Sequence, residues 1–286
     1  MTISDALRYG LSELKEASFL LDLEVSLASL YGKERDFLIL NRDLELSNDL
    51  AVKFEEYVQR LKKGEPLAYI IQKKEFYGLE FYVDKRVLIP RPETEILVGE
   101  AFDFIAHREF ESLNIVDLGA GSGNISISLC KQVLDKNPVK SLKISAVDIS
   151  EEALNVLKIN VAKHDVSKYV FPFNGDLFEF EEVEKDYDLI LANLPYIGTE
   201  KYNFVEKRVK EFEPNIALFG GFDGLVLYRK MFEQMKEKEI TFKFLIGEFG
   251  FMQMGDLMEL LNKYFAHRKV SIIKDYSGID RFFIVI

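Results

Sequence analysis

A short, mostly apolar run, Leu113–Leu118, ends in Gly119-Ala120-Gly121-Ser122-Gly123 and passes directly into helical spacing over about Asn124–Leu134. A strand that turns through glycines into a helix opens a βαβ unit. The alternation then continues. Strands are expected at Leu142–Val147, Tyr169–Phe173, Tyr187–Ala192 and Phe242–Gly247. Helices are expected at about Glu151–His164, Gly224–Lys236 and Gln253–Phe265. Parallel strands need a long crossover between them, and these helices supply it. The fold class is therefore α/β, a parallel sheet with helices on both faces. Val270–Ile273 and Arg281–Ile286 are the last strands. The link through Ser277-Gly278 is too short for a helical crossover, so that pair is expected to be antiparallel.

Before residue 90 the pattern is mostly helical. Ser4 is placed to cap a helix whose Leu7, Leu11 and Leu14 share a face. A second helix covers about Phe19–Leu30 and ends at Tyr31-Gly32; a short one lies near Glu34–Leu40. Ser47 caps a longer helix to about Lys63, closed by Gly64. Glu75–Val83 alternates as strands around a turn at Gly78. Leu88-Ile89-Pro90-Arg91-Pro92 is a stiff crossing, with Pro92 in the first turn of a helix over about Glu93–His107. These boundaries give residues 1–73 as a helical domain, 74–92 as a hairpin and linker, and 93–286 as the α/β domain.

Composition narrows the classes of function. The 286 residues are 48% hydrophobic and 30% charged, enough apolar material for a real core. No apolar run is long enough to span a membrane, and Asp5, Glu13 and Glu16 argue against a signal peptide. A single cysteine, Cys130, permits no intrachain disulfide; with His107, His164 and His267 scattered, no zinc-like ligand spacing exists. A cytoplasmic protein without a metal is expected. The formal charge of −11 favours a protein or small-molecule partner over nucleic acid, whose binders usually carry a basic footprint.

The glycine loop suggests the ligand. Glycines let backbone amides approach a ligand closely. The order from Gly119 is Gly-x-Gly-x-Gly, not the Gly-x-Gly-x-x-Gly that places a pyrophosphate on a helix N-terminus. S-adenosylmethionine has no phosphate but presents a carboxylate and a ribose. Gly119, Ala120, Gly121, Ser122 and Gly123 are thus candidate cofactor-binding residues; a plain turn is the alternative. Asp148, ending the second strand, can accept both ribose hydroxyls, each bond contributing roughly 1.5–3 kcal/mol. It could instead cap the following helix, although Ser150 is better placed. Asp176 and Leu177 follow the third strand, where an acid could accept the adenine amino group and a leucine could pack on the ring; Asp176 could also be only a turn residue. Sites at three successive strand ends resemble the class I S-adenosylmethionine-dependent methyltransferases, whose ligands sit outside the carboxyl ends of the strands.

Asn193-Leu194-Pro195-Tyr196 follows the fourth strand. It resembles the Asn-Pro-Pro-Tyr motif of methyltransferases that modify planar nitrogens. Such a nitrogen is a poor nucleophile because its lone pair is delocalised. Acceptors for its N–H protons, the Asn193 side-chain oxygen and the Leu194 carbonyl, would raise its electron density. Tyr196 can stack on the acceptor, and near-attack placement at about 3–3.5 Å supplies much of the rate. Asn193, Pro195 and Tyr196 are the candidate catalytic residues, Asn193–Tyr196 the substrate-binding set, and Asn193 also touches the cofactor site. Leu194 stands where proline is usual; its carbonyl is kept, but the fixed φ is lost. The same four residues also resemble the ribosomal RNA adenine dimethyltransferases.

Further motifs resolve the choice. Pro66-Leu67-Ala68-Tyr69-Ile70, Glu75-Phe76-Tyr77-Gly78, Leu88–Glu95, Glu213-Pro214, Gly220–Leu225, Tyr228-Arg229, Glu248-x-Gly250-x-x-Gln253 and Gly278-x-x-Arg281 together resemble the HemK/PrmC family, from about residue 5 to the end. The resemblance implies a protein-(glutamine-N5) methyltransferase. Its donor would be S-adenosylmethionine, leaving S-adenosylhomocysteine. Its acceptor would be the glutamine of the Gly-Gly-Gln loop in class 1 peptide-chain release factors. The helical N-terminal domain would contribute partner recognition, and the protein would act as a monomer without binding nucleic acid directly. The alternatives are an adenine-N6 nucleic-acid methyltransferase or a glutamine methyltransferase acting on a ribosomal protein. Arg91 and Glu95 read either as pocket-shaping residues or as an interdomain ion pair with a helix-start acid. Glu213–Arg229 reads either as a substrate-side lid, flexing at Gly220-Gly221 and Gly224, or as a structural loop.

Overall fold

The computed structural model describes residues 1–137 and 139–286. The chain forms two compact units, Met1–Lys73 and Lys74–Ile286. Among the described residues no helix is long and apolar enough to cross a membrane.

The first unit holds helices α1 (Ile3–Leu14), α2 (Leu20–Tyr31), α3 (Arg35–Leu40), α4 (Asn48–Lys62) and α5 (Leu67–Ile71). The cap of α1 is Thr2, not Ser4. Thr2 Oγ1 accepts from the Asp5 amide and the Asp5 carboxylate accepts from the Thr2 amide, a reciprocal pair that fixes the start two residues earlier. The buried stripe of α1 is correspondingly Ile3, Ala6, Gly10 and Leu14, with Leu7 and Leu11 at its margin. Gly10 is there because Leu23 leaves no room: a Cβ would lie 2.6 Å from Leu23 Cδ2. Gly32 ends α2 in the left-handed conformation and Ser47 caps α4, both as expected.

The chain passes from the first unit to the second at the start of the hairpin β1 (Lys73–Phe76) and β2 (Leu79–Tyr82). It continues through α6 (Glu95–Ala106), β3 (Ser112–Leu118), α7 (Asn124–Lys136), β4 (Ser141–Asp148), α8 (Glu151–Lys163), β5 (Val170–Asn174) and β6 (Asp186–Ala192). Then come α9 (Lys207–Phe212), α10 (Asn215–Leu218), α11 (Val226–Glu237), β7 (Thr241–Glu248), α12 (Met254–Phe265), β8 (Val270–Lys274) and β9 (Asp280–Val285). The seven-stranded sheet has the order β5-β4-β3-β6-β7-β9-β8. Strands β3 to β7 are parallel, and β9 runs antiparallel to both β7 and β8. The antiparallel pair was expected; the insertion of β9 between β7 and β8 was not.

Alternation along the strands sorts the core. Val116, Leu118, Ile190, Ala192 and Leu245 pack with Tyr228, Met231 and Phe232 of α11 and Leu257, Leu260 and Leu261 of α12. The neighbouring positions serve the opposite face, where Phe244 of β7 lies 4.5 Å from Phe104 of α6, ring centre to ring centre. Strand order reverses at β3, which pairs with β4 on one side and β6 on the other. A crevice must open outside the carboxyl ends of β3 and β6 at this point. The glycine loop and Asn193 are the residues that follow those two strands.

Candidate active site

The loop after β3 is built by alternate left-handed glycines, Gly119 (φ 74°), Gly121 (φ 53°) and Gly123 (φ 80°). It is stapled to the end of β4: the Gly119 and Ala120 amides donate to the Val147 carbonyl, at 2.9 and 3.0 Å. The Gly121 amide donates to Asp148 Oδ2 at 2.9 Å, and the Ser150 amide to Asp148 Oδ1 at 2.9 Å. Asp148 therefore holds the loop in shape. Each carboxylate oxygen has a second lone-pair direction left for a ligand. Burial pushes its carboxyl above the ordinary range. Ser150 caps α8 through the Ala153 amide, so Asp148 does not.

Gly119 also has a spatial role. A Cβ there would sit 3.2 Å from Leu194 Cδ2 and 3.5 Å from the Asn193 carbonyl, so the two loops touch at this residue. Beneath the loop lies Asp117, fully buried, its Oδ2 accepting from the Ser126 amide and hydroxyl while Oδ1 has no partner among the described residues. Desolvation pushes this carboxyl up to about 6.

A cavity of about 260 Å³ opens over these groups, walled by Gly119–Ser122, Asp148, Asp176, Leu177 and Asn193–Pro195. Thus ten of the expected site positions line one cavity: Gly119, Ala120, Gly121, Ser122, Asp148, Asp176, Leu177, Asn193, Leu194 and Pro195; Tyr196 lines the adjoining one. Gly123 does not. It starts α7, and a Cβ on it would meet Ile127 and Leu157 at 3.1 Å, so its task is helix packing. Asp176 lines the cavity but is not free: its carboxylate is paired with Lys230 of α11. Leu177 is nearly buried, with φ 60°.

A second cavity, about 420 Å³, is bordered by Tyr196, Tyr202, Phe204, Glu248 and Phe251. The two share Leu88, Arg91, Asn193, Leu194, Pro195 and Ala217. Asn193 stands between them. Its Nδ2 donates to Thr94 Oγ1 at 3.2 Å, the Thr94 hydroxyl donates to Glu248 Oε2 at 2.7 Å, and the Tyr196 hydroxyl donates to Glu248 Oε1 at 3.0 Å. Burial and the facing Glu248 charge push the Tyr196 phenol well above its ordinary value. The Tyr228 hydroxyl lies 2.5 Å from the Glu248 carbonyl and 3.2 Å from that of Ala192, bracing the ends of β7 and β6. Gln253 Nε2 donates to the Tyr196 and Asp223 carbonyls, at 2.6 and 3.0 Å, while its Oε1 accepts from the Gly250 amide.

Arg91 pairs with the buried Glu213 at 2.5 Å, and the Ile89 amide donates to the same carboxylate. Both residues lie in the Lys74–Ile286 unit, so the pair is not interdomain. Glu95 accepts from the Tyr77 amide. Within the Glu213–Arg229 segment two glycines pack directly on the backbone of the acceptor loop: a Cβ would lie 2.1 Å from the Pro195 carbonyl at Gly220 and 2.0 Å from that of Tyr196 at Gly224. Thr94, Glu248 and Gln253 complete the site without being marked as site residues by their local sequence. The signal was an acid and an amide in Glu248-x-Gly250-x-x-Gln253, placed after an apolar strand where nothing solvated is expected.

Comparison with known proteins places the whole chain in a family. Residues 5–71 match the PrmC N-terminal domain and residues 109–254 a methyltransferase domain. A release factor glutamine methyltransferase from Dictyoglomus turgidum is 38% identical over 272 residues, 95% of this chain and 92% of that protein. The protein of the same description from Bacillus subtilis is 36% identical, over 98% of this chain and 96% of its own length. Among solved structures, the N-terminal domain of human METTL16 in complex with SAH aligns with a TM-score of 0.53 at 16% identity, covering 91% of this chain and 93% of that one. That likeness is one of fold, the class I S-adenosylmethionine-dependent methyltransferase fold. The identities near 35% along almost the whole length say more, and by them this chain belongs to the release factor glutamine methyltransferase family.

Proposed function

We propose that this chain transfers a methyl group from S-adenosylmethionine to the side-chain amide nitrogen (N5) of the glutamine in the Gly-Gly-Gln motif of class 1 peptide-chain release factors. The observation that carries the reading is the meeting of two cavities over Asn193-Leu194-Pro195. The smaller suits the donor: the glycine loop leaves backbone exposed for close approach, and Asp148 offers acceptors for ribose hydroxyls. The larger, reached past Tyr196, suits a side chain presented by another protein. S-adenosylmethionine, when bound, supplies an electrophilic methyl on a sulfonium sulfur.

The chain's own residues do the rest. Asn193 Oδ1 and the Leu194 carbonyl accept the glutamine N–H protons, orienting the nitrogen lone pair toward the donor cavity. Tyr196, held at its carbonyl by Gln253 and at its hydroxyl by Glu248, packs on the planar amide. No general base is required, because an amide nitrogen that has gained a methyl is strongly acidic and loses its proton to water. The excess of acidic side chains supports a protein acceptor over a polyanionic one. The Met1–Lys73 unit exposes Leu21, Ile39, Leu40 and Val52, apolar surface that supports a role in recognising the release factor.

The test is methyl transfer from labelled S-adenosylmethionine to a purified class 1 release factor, beside its Gly-Gly-Ala variant, ribosomal RNA and ribosomal proteins. Label confined to the wild-type factor, and placed on its glutamine by mass spectrometry, is expected. Label on RNA or a ribosomal protein refutes the acceptor. Asn193→Ala should lower turnover about 100-fold or more, as for loss of one preorganised polar contact, with a far smaller change in cofactor affinity.

A further inference from the structure

Asn193 can serve the reaction only one way round. Its amide has a donor end and an acceptor end, and a glutamine N–H needs the acceptor. What decides the orientation lies behind it. Glu248 ends β7 and is 1% exposed. An ionised carboxylate has acceptors only. The Thr94 hydroxyl, itself 1% exposed, therefore gives its single proton to Glu248 Oε2, at 2.7 Å. Toward Asn193 it can then only accept, and Asn193 meets it with Nδ2 at 3.2 Å. Oδ1 is left without a protein partner among the described residues, on a side chain bordering both cavities. The second carboxylate oxygen takes the Tyr196 hydroxyl at 3.0 Å, so the same acid also fixes the ring at the acceptor side.

We propose that Glu248, acting through Thr94, sets the direction of the Asn193 amide so that its oxygen meets the substrate nitrogen; Glu248 and Thr94 are positioning residues. The inference rests on the proposed reaction for the nature of the substrate. Run the other way, the chain would place one NH₂ group against another, and the productive complex would lose its acceptor. Protonation of Glu248 would allow that reversal. Besides Thr94, the groups facing it are the Tyr196 and Tyr228 hydroxyls, Arg281 from β9, which favours its charge, and Glu93, which opposes it. Burial raises its carboxyl above the ordinary range, so turnover should decline toward acid pH as Glu248 takes a proton.

The experiment is a cycle. Thr94→Val, Thr94→Ser and Glu248→Gln are made in the wild type and in Asn193→Ala, and kcat, KM for the release factor and Kd for S-adenosylmethionine are measured. Thr94→Val should lower kcat about tenfold or more, with both binding constants within about threefold of wild type, and Thr94→Ser should recover most of the loss. In the Asn193→Ala background Thr94→Val should cost less than about twofold, because its effect passes through the residue already removed. Glu248→Gln, a second route should Thr94→Val fold poorly, should lower kcat and remove the acid limb of its pH profile. A full second loss in the Asn193→Ala background overturns the proposal. So does a serine no better than valine, or an unchanged acid limb in Glu248→Gln. If the wild type methylates a ribosomal protein instead, the acceptor assignment fails, and the same cycle on that acceptor decides the inference.

Discussion

Gly220→Ala is the sharpest test of how the acceptor loop is held. A Cβ at Gly220 would lie 2.1 Å from the Pro195 carbonyl oxygen and 2.7 Å from that of Gly224, where ordinary contact begins near 3.4 Å. Both obstacles are backbone, so no rotamer change relieves them. Gly220 itself is pinned: its amide donates to the Ile197 carbonyl at 2.9 Å, and its carbonyl accepts from the Val226 amide at 3.1 Å. A displacement of roughly 1 Å must therefore be absorbed in close-packed surroundings, and it falls on Pro195, between Asn193 and Tyr196. A misplacement of that size at a reacting centre costs about 100-fold in rate. Overpacking should destabilise the fold by about 1–3 kcal/mol, which is about 2–4 °C in Tm per kcal/mol for a unit of this length. Cofactor affinity should change less than kcat, since Gly119–Ser122 and Asp148 are braced through β4 and meet the acceptor loop only at Asn193-Leu194. The control is Gly255→Ala in α12, where a Cβ meets nothing within 4 Å; it should leave kcat alone and raise stability by up to about 1 kcal/mol. Steady-state kinetics, calorimetric titration of the cofactor and thermal melts read the three quantities. A Gly220→Ala enzyme with kcat within about threefold of wild type would refute the steric argument.

Leu194→Ala truncates a side chain that is 2% exposed and rests on Gly119; it should cost about 2–5 kcal/mol of stability and weaken cofactor binding, and a melt unchanged from wild type would contradict the packing. Asp117 gives a pH signature. Its carboxyl is raised to about 6 in the folded protein, so the folded state binds the extra proton. The stability it contributes is fully present below the unfolded value near pH 4 and is lost as pH rises through about 6. Asp117→Asn should flatten that part of the stability-against-pH curve, and denaturant midpoints with the same slope in both proteins would show that the buried acid is not the cause.

The parts of this protein legible in its sequence are those where local chemistry and local backbone need coincide. Gly119 and Gly121 are demanded by left-handed turns and by the close approach of neighbouring backbone, Ser150 and Ser47 by helix starts. The rest depends on contacts far apart in the chain. Thr94 and Glu248 are 154 residues apart, and nothing near either one signals the other. α9 and α10 are too short for a periodic pattern, and the slot that β9 takes between β7 and β8 leaves the order of residues along the chain unchanged. Thr2 and Ser4 are both competent caps; only the reciprocal bond with Asp5 selects the first.

Leu194 shows how one such long-range contact substitutes for a local one. Proline at this position would limit the loop through its ring, by fixing φ. Leucine leaves φ free in an isolated peptide, so its restraint must come from elsewhere. The side chain enters the core shared by Val116, Leu118, Val147 and Leu225, and its Cδ2 stands over Gly119. Burial of a leucine is worth about 1.5–3 kcal/mol, enough to offset the ordering of one residue's backbone, which costs about 1–2 kcal/mol. The carbonyl proposed to accept the substrate N–H is thus positioned by packing against the loop proposed to cradle the donor. In this chain the donor and acceptor walls are coupled through a side chain, where a proline would have stiffened the acceptor loop by itself.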